Sequence, residues 1–453
     1  MRIFFVTMGL VLALGAGAAE SISKVLPCGK QGVAGGLGAG TDLTRYFVDT
    51  TRFPNAVCND GTPAVFYYGP ASRAEDRNKW IIFLQGGGSC NSGQKCAERW
   101  CSIDSNYGLD KMSSSLTKEQ IRGAGFLNPD AKNKFGTWNR VLIYYCSSDQ
   151  WEGTRDNTVT ATSTGGAQVE YSIQFRGAQI VDAVLDTLRN ATPGNRRRVV
   201  RHDADPSSDA APLWPDLDDA TAVIFAGASG GGNGVKNNVD HVGAKLKSTN
   251  PGLVDFRTII DASFTFETTN VDYTKSIMCA SSPLACTYNG FVQQTWTLVD
   301  VGLYGGRGDA SCVDYHASRA PGSEWICSDK DHVLLNHITT PFFIHQDLQD
   351  PQVGGAGFVD LGLGTPSDFA TGVEAALRNF PVPEEARGAA PGAFSPQCMT
   401  HEAFTNDSDV FNIRVNGINW HDTVWNWWTG TLPQKSIQAY NGVPGPIAGC
   451  PPQ

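Results

Sequence analysis

Residues 223–242 read VIFAGASGGGNGVKNNVDHV. An apolar run with the character of a buried strand ends in a crowd of glycines around Ser229. An amphipathic pattern follows at once, with Val235, Val239, Val242 and Leu246 at helical spacing. Gly227-Ala228-Ser229-Gly230-Gly231 fits G-x-S-x-G. The five-residue pattern alone says little, because a loose glycine loop of no chemical consequence matches it too. Its setting discriminates. A nucleophile elbow needs a strand, a strained turn and a helix in that order. Small neighbours let strand and helix approach, and the amide after the serine, here that of Gly230, faces a developing oxyanion. Ser229 is therefore the candidate nucleophile.

The rest of the chain supplies a matching scaffold. Runs at 79–85, 140–146, 221–229, 256–264 and 340–346 read as strands. Helical patterns occupy 172–189, 232–247 and 367–380. This alternation predicts an α/β fold, an α/β-hydrolase-like, mostly parallel sheet flanked by helices, with long disulfide-tied loops. No linker divides the chain, so residues 19–453 read as one domain. The stretch 191–220 joins Arg196, Arg197, Arg198 and Arg201 to a following run of aspartates and reads as a surface insertion.

Residues 1–18 combine Arg2, an apolar run over 3–14 and the small residues Ala16, Gly17 and Ala18, the pattern of a cleaved secretory signal. A membrane anchor is the competing reading, but the run is short for a span of about 20 residues. No later segment approaches that length, so no integral membrane segment is expected in the mature chain. Export gives the twelve cysteines a role as disulfides. A metal site at Cys90, Cys96 and Cys101 is disfavoured, for the spacing is not paired CxxC and no histidine lies nearby. Cys279–Cys286 and Cys312–Cys327 are candidate local bridges, although connectivity does not follow from sequence. A net charge of −10 with no basic stripe argues against a nucleic-acid partner.

A second glycine turn, FLQGGGSC at 83–90, ends another strand. Its Gly87 and Gly88 amides, with that of Gly230, are candidates for an oxyanion hole, whereas a plain tight turn needs fewer glycines. A serine nucleophile also needs a base and an orienting carboxylate. His241, His316, His332, His337, His345, His401 and His421 all follow Ser229, and composition does not choose among them.

Several fragments together resemble the pectin acetylesterase/Notum family of serine carboxylesterases: FLQGGGSCNS, LIYYCSSDQWEG (142–153), FRGAQIVDAVLDTL, GASGGGNGVKNNVD, PFFIHQDLQDPQV (341–353) and CMTHE (398–402). The resemblance implies Ser229 as nucleophile, Asp350 as orienting acid and His401 as base, with Asp347 and His421 as runners-up. It also implies the bridges Cys58–Cys146, Cys90–Cys96 and Cys398–Cys450. Two positions depart from the family pattern. Gln85 stands where a glutamate is usual, and Ser89 stands where a bulky aromatic lines the substrate pocket. The tryptophans 420, 425, 427 and 428 read as a packed C-terminal helix rather than a ligand platform.

The expected function is a secreted serine carboxylesterase that works through an acyl-enzyme, without metal or cofactor. Its first expected substrate is an O-acetyl ester on a polysaccharide. The alternatives are a lipid or acyl-protein esterase and, from another class, a glycan-binding pseudoenzyme. An acidic protein is repelled by polyanionic pectin at low salt, which favours a neutral glycan or another ester.

Overall fold

The computed structural model describes residues 19–26, 28, 37–101, 108–163, 165–189, 214–380 and 390–450. The expected signal peptide, 1–18, and positions 191–213 of the expected insertion lie outside the described residues. Its remaining end is packed rather than exposed. Trp214, Leu217 and Ala220 are buried, and the Trp214 ring meets those of Tyr46, Phe66 and Tyr68.

Fourteen strands are described: β1 (Leu43–Phe47), β2 (Val65–Gly69), β3 (Lys79–Leu84), β4 (Gln120–Ile121), β5 (Asn139–Ile143), β6 (Arg155–Thr162), β7 (Gln168–Phe175), β8 (Ala222–Ala228), β9 (Asp255–Asp261), β10 (Phe342–His345), β11 (Gly392–Ser395), β12 (Arg414–Val415), β13 (Ile418–Asn419) and β14 (Lys435–Ile437). Ten of them form one sheet in the order β14-β11-β10-β9-β8-β3-β5-β2-β1-β4. From β14 to β5 every pairing is parallel, and β2, β1 and β4 add an antiparallel edge.

The central strands are near-continuous apolar runs, KWIIFL in β3 and AVIFAGA in β8, because both faces of a parallel sheet are covered. The helix Gly230–Thr249 packs on β8 and β9 and buries Val235, Val239, Val242 and Leu246, the stripe expected from the sequence.

One expectation is corrected. The helical pattern assigned to 172–189 begins only at Gly177. Residues 172–175 end β7, where Tyr171, Ile173 and Phe175 are buried alternately. Ile173 fits a helical stripe by position, but its neighbours obey period two, and pairing with β6 decides.

Parallel pairing sets the carboxyl ends of β3, β8, β9 and β10 side by side. Leu84 pairs with Gly227, Ala228 with Asp261, and Asp261 with His345. The chain enters the elbow from that edge under tight spacing. A Cβ on Gly231 would lie 2.1 Å from the Leu84 carbonyl oxygen, so strand and helix approach backbone to backbone. Replacement Gly231→Ala is therefore expected to cost about 3 kcal/mol, the upper end for an overpacked site. Gly355→Ala, where a Cβ meets nothing within 4 Å, should change stability by less than about 0.5 kcal/mol. Urea unfolding of both variants checks the pair, and equal midpoints would contradict the close approach.

Candidate active site

Ser229 has φ 54° and ψ −122°. A non-glycine residue in this region is strained by roughly 1–3 kcal/mol and persists only where its surroundings over-determine it. Here they do. The Ser229 amide donates to the Asp261 carbonyl at 2.9 Å, and the Asn233 amide donates to the Ser229 carbonyl at 3.1 Å, opening the helix. The serine side chain is left at the carboxyl edge of the sheet.

His401 Nε2 lies 2.8 Å from Ser229 Oγ. His401 Nδ1 lies 2.9 and 3.0 Å from the two oxygens of Asp350. Asp350 is buried and already fixed. It accepts from the amides of Gln352 and Val353 and from Gln346 Nε2. The structure thus brings together the three side chains named from the sequence. Burial disfavours the His401 imidazolium, but the hydrogen bond and charge of Asp350, with Glu402 and Asp261 behind, outweigh it and raise the pKa.

The runners-up stand elsewhere. Asp347 does not face His401; its Oδ2 accepts from the Thr400 amide at 2.7 Å, one residue before the histidine. Asp261 Oδ2 accepts from the Phe404 amide at 2.7 Å, so two carboxylates grip the His401 loop from either end. Between them sits His345, with Nδ1 2.7 Å from Asp261 and Nε2 3.4 Å from Asp347. The bridge Cys398–Cys450 closes the same loop. His421 is a core residue. It accepts from the Lys134 amide at 3.0 Å among Phe126, Phe135 and Phe411, and burial lowers its pKa to about 4 despite Asp422.

The second glycine turn is held by its carbonyls. Lys111 Nζ donates to Gly86 O at 3.0 Å, Arg99 Nη2 to Gly87 O at 2.6 Å and Tyr145 Oη to Gly88 O at 2.8 Å. In a trans peptide the N–H points opposite to the preceding C=O. Pinning the carbonyls of Gly86 and Gly87 therefore turns the amides of Gly87 and Gly88 to the other side. Gly87 and Gly88 have φ 142° and 62°, values that favour glycine. A Cβ on Gly230 would sit 3.4 Å from Gly88 N, so the two glycine turns meet there. Among the described residues no backbone acceptor reaches the amides of Gly87, Gly88 or Gly230. Burial brings Lys111 down to about 8, against the opposing charges of Glu402 and Asp110.

Sequence reasoning did not find these supports. Arg99, Lys111 and Tyr145 lie far from the turn in sequence, and only their unusual burial marks them. Gln85 does not touch the triad; its side-chain oxygen accepts from the Tyr145 amide at 3.2 Å. Ser89 is half-buried and accepts from Gln150 Nε2 at 3.1 Å, while Gln150 Oε1 accepts from Asn233 Nδ2 at 2.9 Å. A polar chain therefore runs from the glycine turn to the first turn of the helix Gly230–Thr249.

All twelve cysteines are paired. The five bridges named above are present, and Cys28–Cys101 is the sixth. Trp420 and Trp427 are buried in the helix Trp420–Thr429. Trp425 and Trp428 line a cleft of about 450 Å³ with Trp138 and Lys134. That cleft also touches Lys79, Ala222 and Asp255, which begin β3, β8 and β9, so it lies at the opposite end of the sheet from Ser229. No described helix is long and apolar enough to cross a membrane.

Comparison with known proteins places this geometry in context. The family described as Pectinacetylesterase matches residues 39–197, which include the Gly87–Gly88 turn. The chain is 24% identical to palmitoleoyl-protein carboxylesterase notum2 of Xenopus laevis over 90% of its length and 71% of that protein's. It is 27% identical to palmitoleoyl-protein carboxylesterase NOTUM of Schmidtea mediterranea, over 86% of this chain and 63% of that one. The structure of the Wnt deacylase Notum from Drosophila shares its fold, with a TM-score of 0.64 and 22% identity over 90% of this chain and 100% of that chain.

Proposed function

We propose that the chain is an exported serine esterase of the pectin acetylesterase/Notum family, acting through Ser229, His401 and Asp350. The observation that carries the reading is the unbroken hydrogen-bonded line from Ser229 Oγ through both nitrogens of His401 to Asp350. In this reading His401 takes the Ser229 proton as Oγ attacks the ester carbonyl. Asp350 holds the imidazole in the tautomer that leaves Nε2 free and stabilises the imidazolium. The amides of Gly87, Gly88 and Gly230 receive the oxyanion. The imidazolium protonates the departing alcohol, and water then attacks the acyl-enzyme by the same path in reverse. Six disulfides support an oxidising compartment, hence export.

The relatives matched over most of the chain are named for a palmitoleoyl-protein ester, and this supports an O-acyl ester on protein as the substrate. Ser89 agrees with that reading, because a small side chain beside the glycine turn leaves room for a longer acyl group. A second reading, an acetyl ester on a neutral glycan, draws on the Pectinacetylesterase match, which spans the same turn.

Labelling by a fluorophosphonate and hydrolysis of p-nitrophenyl acetate test the mechanism. Ser229→Ala should abolish both, with kcat reduced at least about 10⁵-fold and the fold retained. A folded Ser229→Ala protein that still labels would remove Ser229 from the reaction.

The pH profile tests the acid. His401 acts only when neutral, so kcat/KM should fall as pH drops through its raised pKa, with an acid limb above the ordinary histidine value of 6.5. Asp350→Asn removes the partner that favours the imidazolium. The limb should move to lower pH and kcat should fall by about 10⁴-fold. A limb left in place by Asp350→Asn but moved by Asp347→Asn would exchange their roles.

Acyl-chain preference tests the substrate. The wild-type protein should turn over p-nitrophenyl octanoate with a higher kcat/KM than the acetate. Ser89→Trp should lower the octanoate-to-acetate ratio by at least about tenfold, as expected for apolar pocket contacts worth roughly 1–3 kcal/mol. A wild-type preference for acetate that survives Ser89→Trp would favour the glycan reading.

A further inference from the structure

Three histidines that play no part in the proposed ester chemistry converge at one point. His316 lies on the helix Ala310–Arg319, His332 on the helix Lys330–Asn336, and His337 caps the latter. His332 Nε2 is 3.2 Å from His316 Nε2 and 3.3 Å from His337 Nε2. Their ring centroids form a nearly equilateral triangle with sides of 5.4, 5.4 and 5.2 Å. All three are half-buried, so an ion can reach them.

Hydrogen bonding accounts poorly for this arrangement. A neutral imidazole carries one N–H, and His332 Nε2 faces two other nitrogens. It either divides one proton between two acceptors or offers one lone pair to two donors. A cation accepts all three lone pairs at once. With metal–nitrogen bonds of about 2.0–2.1 Å in tetrahedral geometry, neighbouring nitrogens stand about 3.3 Å apart, the spacing found here. We propose that His316, His332 and His337 bind one divalent transition-metal ion, zinc in the first instance, through their Nε2 atoms.

The surroundings suit a preformed site. The bridge Cys312–Cys327 ties the His316 helix to the segment that follows, with Cys312 one turn before the histidine. Cys312 Sγ belongs to the same cluster, within 4.8 Å of the other donors. It is committed to the disulfide, so the fourth position falls to an outside donor such as water. Asp331, beside His332, pairs with buried Lys236 at 2.6 Å and anchors this helix to the helix Gly230–Thr249. Tyr315 leans on the His316 and His337 rings at 5.1 and 5.2 Å. Asp329 and Glu267 place negative charge near His332 and Glu324 near His316, with Arg319 opposing. Asn336 Nδ2 lies 3.3 Å from His332 Nδ1. When the metal takes Nε2, Nδ1 carries the ring proton, and the exposed Asn336 amide, which also donates to the His332 carbonyl at 2.9 Å, no longer donates to Nδ1. No net proton is lost, and the cation adds its full charge.

The test uses untagged protein, stripped with a chelator without reductant, and zinc chloride as the only added ligand. Competition with a chromophoric chelator should give one saturable zinc per chain, and the melting temperature should rise with zinc concentration. His332→Ala should weaken binding at least tenfold and abolish the thermal shift. His316→Gln, a milder change, should weaken binding while melting like the wild type in chelator. His401→Ala should leave zinc affinity unchanged, which separates this site from the proposed triad. Absence of saturable binding, or binding lost with His401→Ala but kept in His332→Ala, would overturn the proposal.

Discussion

The contact on which the site depends is the backbone approach between the first turn of the helix Gly230–Thr249 and the end of β3. A Cβ on Gly231 would meet Leu84 O at 2.1 Å, and one on Gly227 would meet Gly231 O at the same distance. At that separation no side chain fits between strand and helix. Ser229 is held there at positive φ. The energy that holds this turn comes from the sheet. β8 is buried along its whole length between β3 and β9, and the Ser229 amide is fixed to the end of β9. Strain of a few kcal/mol in one residue is sustained because unfolding it would break those ladders.

Around that turn, buried polar groups act as rigid props. The His401 loop carries no regular structure, yet Asp347, Asp261 and the Cys398–Cys450 bridge fix it on three sides. His345 lies between the two aspartates, where burial opposes its charge and the carboxylates restore it, so its pKa is raised. Lys111, Arg99 and Tyr145 do the same for the glycine turn by holding its carbonyls. Buried polar networks of this kind rigidify when satisfied and are costly when broken. Not every atom near these props is satisfied: Asp347 Oδ1 has no hydrogen-bond partner. Glu402 Oε1 is buried without a hydrogen-bond partner, beside Gly86 and within the field of Lys111 and His401.

The polar chain from Ser89 through Gln150 to Asn233 links the glycine turn to the first turn of the helix Gly230–Thr249. Asp149 supports that chain. Its buried carboxylate accepts from Ser147, Trp151 and Gly177 and so shapes the turn on which Gln150 sits at φ 53°. A bulky residue at 89 would displace Gln150 and leave Asn233 without its acceptor. The serine at 89 is thus tied to the turn at 147–151 through Gln150.

Much of the fold was legible because its signals are local. Central parallel strands show as apolar runs, and the helix after Ser229 shows as a stripe of period 3.6. The elbow itself was readable because a glycine cluster between such elements has a steric cause. Ile173 was misread, since one buried residue fits either period until its pairing partner is known. From the residues alone, seven histidines after Ser229 stood equal as candidate bases, and family likeness rather than physics singled out His401. The tertiary structure separates them, because only parallel pairing places the ends of β8, β10 and β11 together and carries His401 Nε2 to 2.8 Å from Ser229. The same holds for the props at Arg99 and Lys111 and for the cluster of His316, His332 and His337. Their partners are distant in sequence or lie across irregular segments with no period to read. Periodicity reports which face of an element is buried; it carries no information about which polar groups meet once the elements are packed, and that was decided by the packing alone.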